Sequence, residues 1–332
     1  MKIMRALVAG IVVVGVASAG HRASAQSPRI DIANAIAWLP SNTETLIVAK
    51  GPIDLGETAD ALSDLSGHLA RSVAGGPLGD AKGDVFRLLS GAHIRFAVEG
   101  SRAFRAPRGL GLGPYEGCHI LAFENVDGPV IDRFMSALET AGAAATTVAG
   151  VDAMLVKWRA EEDEWSAFVV RARPDVIVIA TSERMLTEVL DRAQRGGGGR
   201  AFPRSLQEWA GVDTSASVWA IRHYVPEGSR SDPTSPLTSE QRPANEPDTL
   251  AVGMAVSVGG RPGKFVAHYY STNSQAQAIA RRLWSHPREG LTPLFASGPK
   301  GDVRISGAPR SADGRSMLAL VLLAALGHAI YI

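Results

Sequence analysis

Residues 117–142 read GCHILAFENVDGPVIDRFMSALETAG, and the fold prediction starts from this stretch. Its mostly apolar start, Gly117–Phe123, predicts a strand that is covered on both faces. Asp127 is placed to cap the next helix, and Pro129 fits the first turn, where its missing N–H would have no partner. Gly142 can adopt the left-handed conformation that ends a helix. The apolar residues of this predicted helix fall on one face: Val130, Ile131, Phe134, Met135 and Leu138.

The following segment is typical of an antiparallel meander. Thr146–Val148 and Ala153–Trp158 are predicted strands on either side of an Ala149-Gly150 turn. The acidic run Glu161–Glu164 is predicted to be a solvated hairpin tip, because calcium-binding loops alternate their ligands and include a glycine. Trp165–Ala172 is the predicted returning strand.

A buried strand and a second amphipathic helix complete this segment. The continuous apolar run Val176–Ala180 predicts a central strand. Ser182 is placed to cap the helix that follows it. The inward-facing residues predicted for that helix are Met185, Leu186, Val189 and Leu190. Strands that alternate with helices covering one side predict an α+β fold with largely antiparallel sheets.

Residues 1–25 have the pattern of a secretory signal peptide. Lys2 and Arg5 are positive, Ala6–Ala19 is apolar, and Ala23-Ser24-Ala25 matches an A-x-A cleavage site. The apolar part is short for a membrane span. We therefore expect the mature chain to be exported to the periplasm or the extracellular space.

Charge and cysteine content restrict the possible functions. The chain has 34 lysines and arginines against 33 acidic residues, so it gives no electrostatic reason to expect a nucleic-acid partner. Cys118 is the only cysteine, which rules out a disulfide within the chain. Because Cys118 lies in an apolar strand, we expect a buried, inert thiol.

The order of predicted elements suggests two related halves, residues 26–200 and residues 201–332. In the second half, Val218–Tyr224, Leu250–Val258 and Phe265–Tyr270 are predicted strands, the last two forming a hairpin. Phe202–Trp209 is a predicted short helix, and Ser274–Trp284 is a predicted amphipathic helix. Five prolines within Pro226–Pro247 predict a long surface loop.

The chain ends in a strongly apolar segment, Met317–Ile332. It is shorter than the roughly 20 residues needed to span a bilayer, and no basic residues follow it. The repeat favours a helix that packs on the second sheet, as the counterpart of the helix after Ser182. A membrane anchor and an exposed docking tail are the alternatives.

The opening of the predicted mature chain reads WLPSNTETLIV, residues 38–48. Coming directly after a signal peptide, it resembles the start of a group of uncharacterised exported bacterial proteins. In that group an L-P-x-x-T turn leads into the first strand of repeated β/α units. The resemblance covers this motif and the general layout, and it implies export and architecture without implying any site.

No local motif for catalysis, a metal or a cofactor occurs in the sequence. There is no G-x-S-x-G, no H-E-x-x-H and no G-x-G-x-x-G between a strand and a helix. Ser297-Gly298-Pro299-Lys300 matches S-x-x-K, but the Gly-Pro pair is incompatible with the helix that this chemistry requires. We therefore expect no metal, no cofactor and no enzymatic activity, although a dispersed active site stays an alternative.

Histidines and tyrosines on predicted strands are the candidate binding residues. His223 and Tyr224 end one strand of the second half, and His268, Tyr269 and Tyr270 end another. If these strands are neighbours, their polar aromatic side chains are suited to lining a binding face. His93 and His119 also lie on predicted strands, but isolated histidines in sheets more often form local hydrogen bonds than bind a metal.

The sequence thus favours an exported, non-enzymatic binding, scaffold or accessory protein of the bacterial cell envelope, with an envelope protein or a small ligand as partner. An exported hydrolase with a dispersed site is the first alternative. Convergence of His223, His268 and an acid such as Asp302 would favour it. The second alternative is a structural protein tethered to the membrane through Met317–Ile332.

Overall fold

The computed structural model describes residues 29–54, 93–103, 115–124, 128–160, 163–195, 201–216, 218–223, 253–258, 265–270, 294–297 and 303–307. Within these ranges the chain forms three α-helices, one 3-10 helix and twelve strands. Every strand pair with a defined register is antiparallel. The predicted α+β class with largely antiparallel sheets is therefore confirmed.

The described residues belong to two compact units. The first unit consists of the described residues before Glu44 and of the described residues within Val48–Ser101 and Glu116–Phe202. The second takes in Glu44–Ile47, the described residues of Arg102–Tyr115 and those from Pro203 onward. The predicted kinship of residues 26–200 and 201–332 stays a prediction.

The first unit contains the segment on which the fold prediction was based. Its helices are α1 (Ile32–Trp38), α2 (Gly128–Thr140) and α3 (Glu183–Arg195). Its strands are β2 (His93–Ala103), β3 (Tyr115–Phe123), β4 (Ala144–Val148), β5 (Val151–Ala160), β6 (Asp163–Arg173) and β7 (Val176–Ala180). They lie in the order β2-β3-β7-β6-β5-β4, and β1 (Thr45–Asp54) is next to β2.

The core of this unit forms where the sequence predicted it. Ser182 caps α3, because its Oγ accepts a 3.1 Å hydrogen bond from Met185 N. The four predicted inward residues of α3 are at most 2% exposed: Met185, Leu186, Val189 and Leu190. In α2, Ile131, Phe134 and Leu138 are buried, and Gly142 ends the helix region with a φ of 91°.

The turn between β4 and β5 has two central residues, Ala149 and Gly150. Both have positive φ, 50° and 77°, as a type I′ hairpin turn requires. Val148 and Val151 flank this turn and face each other across the hairpin. At the next hairpin, β5 and β6 pair as far as Ala160 and Asp163, so the last two residues of the predicted acidic tip belong to a strand.

The second unit has a five-stranded antiparallel arrangement. Its strands are β8 (Val218–Arg222), β9 (Gly253–Val258), β10 (Phe265–Tyr270), β11 (Leu294–Ser297) and β12 (Val303–Gly307), in the order β11-β12-β10-β9-β8. The predicted β9–β10 hairpin is confirmed by its register. Two details differ from prediction. β11 was not predicted, and in place of a helix over Phe202–Trp209 there is a 3-10 helix at Gln207–Gly211.

Several predicted segments lie outside the described residues. They are the signal peptide, Asp127, Glu161 and Glu162, the loop Pro226–Pro247, the helix Ser274–Trp284 and the apolar segment Met317–Ile332. Among the helices that the structure describes, none combines the length and the apolar character needed to cross a membrane.

Candidate functional site

The most distinctive polar pair of the second unit joins the 3-10 helix to the end of β8. Glu208 is in the 3-10 helix, and His223 directly follows β8. The backbone N–H of His223 donates a 2.8 Å hydrogen bond to the carbonyl of Glu44. The histidine is therefore fixed by its backbone as well as by its side chain.

The pair itself is short and differs in exposure. Nδ1 of His223 lies 2.6 Å from Oε1 of Glu208. The side chain of Glu208 is 1% exposed, whereas that of His223 is 30% exposed. An ionised carboxylate can only accept a hydrogen bond, so Nδ1 carries the hydrogen and donates it.

This geometry changes the acidity of the imidazole. The hydrogen bond to Glu208 raises the pKa of His223 above its usual value, burial opposes that rise, and the negative charges of Glu208 and Glu44 add to it. The imidazolium form is thus favoured by a buried counter-charge. The orientation of the ring is fixed through Nδ1, which leaves Nε2 as the nitrogen for a ligand or a proton.

Two tryptophans occupy the same two elements as this pair. The rings of Trp209 and Trp219 are 5.7 Å apart at an angle of 58°. Nε1 of Trp209 donates to the carbonyl of Pro203, and the guanidinium of Arg204 lies 4.1 Å from the Trp209 ring centre. Trp219 lies in β8 and His223 directly follows that strand, and each contacts a residue of the 3-10 helix.

Two buried polar atoms of this region have no hydrogen bond within the described part of the chain. They are Oε2 of Glu208 and Nε1 of Trp219. Such atoms are uncommon in protein cores, because each costs about 1–3 kcal/mol. We name the pair of Glu208 and His223 the dyad site.

A second buried carboxylate, Glu116 in the first unit, shows the contrasting structural arrangement. Its Oε1 accepts hydrogen bonds from Ser182 Oγ at 2.8 Å and Arg184 Nε at 3.2 Å. Its Oε2 accepts one from Arg184 Nη2 at 2.8 Å. Both oxygens are satisfied by residues at the start of α3, so Glu116 attaches that helix to β3.

The structure tests only part of the predicted binding face. Tyr224 lies outside the described residues, and His268, Tyr269 and Tyr270 form the end of β10. The condition that the strands of His223 and His268 be neighbours is not met, because β9 lies between β8 and β10.

The register gives the size of this separation. Arg222, the residue before His223, pairs with Met254, which in turn pairs with Tyr269. The two ends are therefore two strand spacings, about 10 Å, apart. Sequence reasoning found His223 but missed Glu208, because the contact depends on how a 3-10 helix packs on β8 and leaves no spacing signal.

Among the described residues, His119 has a local contact. Among the residues that the structure describes, no group of three or more His, Cys, Asp or Glu side chains is placed to hold a metal ion. His119 is buried, and burial lowers its pKa to about 4, so it is neutral near pH 7. Its Nδ1 is 3.9 Å from Oε2 of Glu99. Cys118 is fully buried, as predicted.

Comparison with known proteins adds little to this geometry. No protein-family model matches the sequence, and no curated protein is significantly similar to it. Two crystal structures of TP0453, crystal forms I and IV, are similar in shape at 10% sequence identity. Their TM-scores are 0.42 and 0.41. The matches cover 89% and 87% of this chain and 97% and 96% of the other. Likeness at this level carries no functional argument.

Proposed function

We propose that this chain is an exported, non-enzymatic binding or accessory protein of the bacterial cell envelope. The signal-peptide pattern of residues 1–25 supports export. The observation that carries the binding role is His223, an imidazole fixed through Nδ1 by a buried carboxylate and still 30% exposed.

The dyad site suits recognition of a hydrogen-bond acceptor. A histidine fixed in this way presents Nε2–H as a rigid donor, so little side-chain entropy is lost when a ligand binds. The raised pKa of His223 keeps that donor charged over a wider pH range than an isolated histidine. A small ligand with a carboxylate, phosphate or carbonyl group fits this chemistry, as does an acceptor on the surface of an envelope protein.

The test is site-specific photo-crosslinking in living cells. A photoreactive amino acid replaces Gln207, which is exposed and precedes Glu208, and in a control replaces Ser136 on the exposed face of α2. The proposal predicts one dominant envelope protein captured at position 207 and not at position 136. The small-ligand form predicts that the imidazole signals of His223 shift on addition of carboxylate or phosphate compounds. If neither a captured protein nor a signal shift is observed, the binding role has no support.

A hydrolase is the second candidate function, and the Glu208–His223 pair is the specific observation in its favour. A carboxylate that orients a histidine through Nδ1 is the arrangement by which imidazole serves as a general base. The mature protein would be assayed on ester and amide substrates beside the variants His223→Gln and Glu208→Gln. Hydrolysis that both variants abolish would establish an enzyme and remove the non-enzymatic proposal.

Location is part of the proposal and has its own test. We propose a periplasmic or extracellular protein, with contact to a membrane through Met317–Ile332 as the open question. Retention in the membrane pellet after a high-pH carbonate wash would support an apolar anchor. Release by that wash would remove the tethered structural role, while peripheral binding would still be compatible with the accessory role.

A further inference from the structure

Among the described strands of the first unit, β4 is an edge strand. β4 is the last strand in the order, and no described strand pairs with its outer side. Ala144, Ala145 and Thr147 are exposed. Monomeric proteins usually protect such an edge with charged residues, a proline or a bulge. The sequence AATTV of residues 144–148 has no charge and no proline, and its register with β5 is continuous.

The alternation of hydrogen-bonded and non-hydrogen-bonded positions along the β4–β5 hairpin decides which backbone groups of β4 point outward. In a hairpin with a two-residue turn, the residues that flank the turn exchange hydrogen bonds with each other, and this alternates along the strand. Val148 flanks the turn, so it bonds to β5, as do Thr146 and Ala144. Ala145 and Thr147 therefore direct their N–H and C=O groups away from the sheet.

We propose that β4 pairs antiparallel with β4 of a second copy of this chain, about a two-fold axis at Thr146. Ala145 then lies opposite Thr147 of the second copy, and Thr147 lies opposite the second Ala145. Each of these two pairs exchanges two hydrogen bonds, so every outward backbone group of β4 gains a partner. An interface of this kind is isologous, which is the commonest arrangement of homodimers.

The ends of β4 select this register over its neighbours. A two-fold axis at Ala145 would require the N–H of Ala143, which already donates a 2.9 Å bond to the carbonyl of Leu138. An axis at Thr147 would require an extended conformation at Ala149, which has a φ of 50° within the turn. Pairing centred on Thr146 uses only residues 144–148, all of which are already extended.

The register makes a distance prediction that covalent trapping can test. Thr146 faces Thr146 of the second copy as a non-hydrogen-bonded pair, for which the Cα–Cα distance is about 4.5 Å. That distance lies within the range of disulfide bonds. The variant Thr146→Cys would be oxidised in a glutathione buffer beside Ser136→Cys, a control on α2 that is more exposed than Thr146. Buried Cys118 is present in both proteins and is not expected to react.

The expected result is a disulfide-linked dimer for Thr146→Cys at about tenfold or more the yield for Ser136→Cys. Equal yields would overturn the register. A wild-type protein that sediments as a monomer at every concentration up to the millimolar range would overturn the dimer itself. This holds also if the edge of β4 binds an extended segment of another protein instead.

A charge variant gives an independent readout that needs no oxidation. Thr146→Lys places two ammonium groups opposite each other across the two-fold axis, and like charges in that position oppose pairing. The dimer dissociation constant measured by sedimentation should rise about tenfold or more relative to Thr146→Val, and high salt should reverse part of that rise. Equal dissociation constants for the two variants would contradict the proposal.

Discussion

Oε1 of Glu208 accepts a 2.6 Å hydrogen bond from Nδ1 of His223, a residue fifteen positions away in sequence. The carboxylate is almost completely buried and the imidazole is not. This asymmetry gives the site its chemistry, because burial strengthens the attraction between the two groups while the imidazole stays 30% exposed.

The first prediction concerns the variant Glu208→Gln, which keeps the volume of the side chain and removes its charge. The pKa of His223 should fall, because its hydrogen bond to a carboxylate and the nearby negative charge are both lost. Histidine proton signals followed by NMR across pH 4–9 measure this shift. The folded protein should also lose about 2 kcal/mol of stability at pH 6.

The sign of the pH dependence provides the control. A histidine with a raised pKa in the fold contributes stability in full below its unfolded value of about 6.5, and this contribution is lost as pH rises through the folded pKa. The difference in unfolding free energy between wild type and Glu208→Gln should therefore shrink from pH 6 to pH 9. If the difference in unfolding free energy does not change with pH, the stability lost in Glu208→Gln comes from packing alone.

The second prediction concerns His119, whose pKa is lowered in the fold, whereas that of His223 is raised. Burial lowers the pKa of His119 to about 4, so the unfolded chain binds a proton below pH 6.5 that the folded chain does not. Stability should fall as pH decreases from 6.5 to 4, by up to about 1.4 kcal/mol per pH unit from this residue. The variant His119→Asn should remove that slope in urea unfolding at a series of pH values.

The third prediction compares alanine substitutions at two glycines of the first unit, Gly51 and Gly117. A Cβ at Gly51 would lie 2.8 Å from the carbonyl oxygen of Arg95 and closer still to that of Ile94. Both are backbone atoms that cannot turn away. The variant Gly51→Ala should therefore lose about 3 kcal/mol, measured by thermal or urea unfolding.

Gly117→Ala is the matched control for Gly51→Ala. The nearest atom to its Cβ would be Ser101 Cβ at 3.6 Å, which is an ordinary van der Waals contact. Its stability should change by no more than about 0.5 kcal/mol. Equal losses in the two alanine variants would show that the β1–β2 approach at Gly51 is not as close as described.

The fourth prediction is a stabilising substitution in the β4–β5 turn. Ala149 has a φ of 50°, a left-handed conformation that is unfavourable for alanine, whereas asparagine tolerates it better. Asn-Gly is the preferred sequence for a type I′ turn. Ala149→Asn should raise the unfolding free energy by about 0.5–1 kcal/mol, and Ala149→Val should lower it. A destabilising asparagine would contradict this turn geometry.

Local patterns were enough to predict the first unit in some detail. The spacing of Met185, Leu186, Val189 and Leu190 gives one helix face, and all four are buried. The Ser182 cap and the turn at Ala149 and Gly150 were also predicted, because a cap and a two-residue turn depend on a few adjacent residues.

The features that were missed depend on contacts between distant residues. The short strand β11 carries little periodicity, and it is defined mainly by its pairing with β12. The insertion of β9 between β8 and β10 separates His223 from His268. The partner of His223 instead comes from Glu208, in a 3-10 helix whose single turn has no amphipathic pattern to read.

The hydrogen bond from His223 to the carbonyl of Glu44 has a consequence for the biogenesis of the protein. The second unit includes Glu44–Ile47, which are synthesised long before Pro203 and the residues that follow it. A fragment that starts at Pro203 would lack that piece and should not reach the native fold alone. During synthesis, this early segment stays unpaired until Pro203 and the residues after it have been made. Slow synthesis or an early stop would therefore leave it exposed to chaperones and proteases.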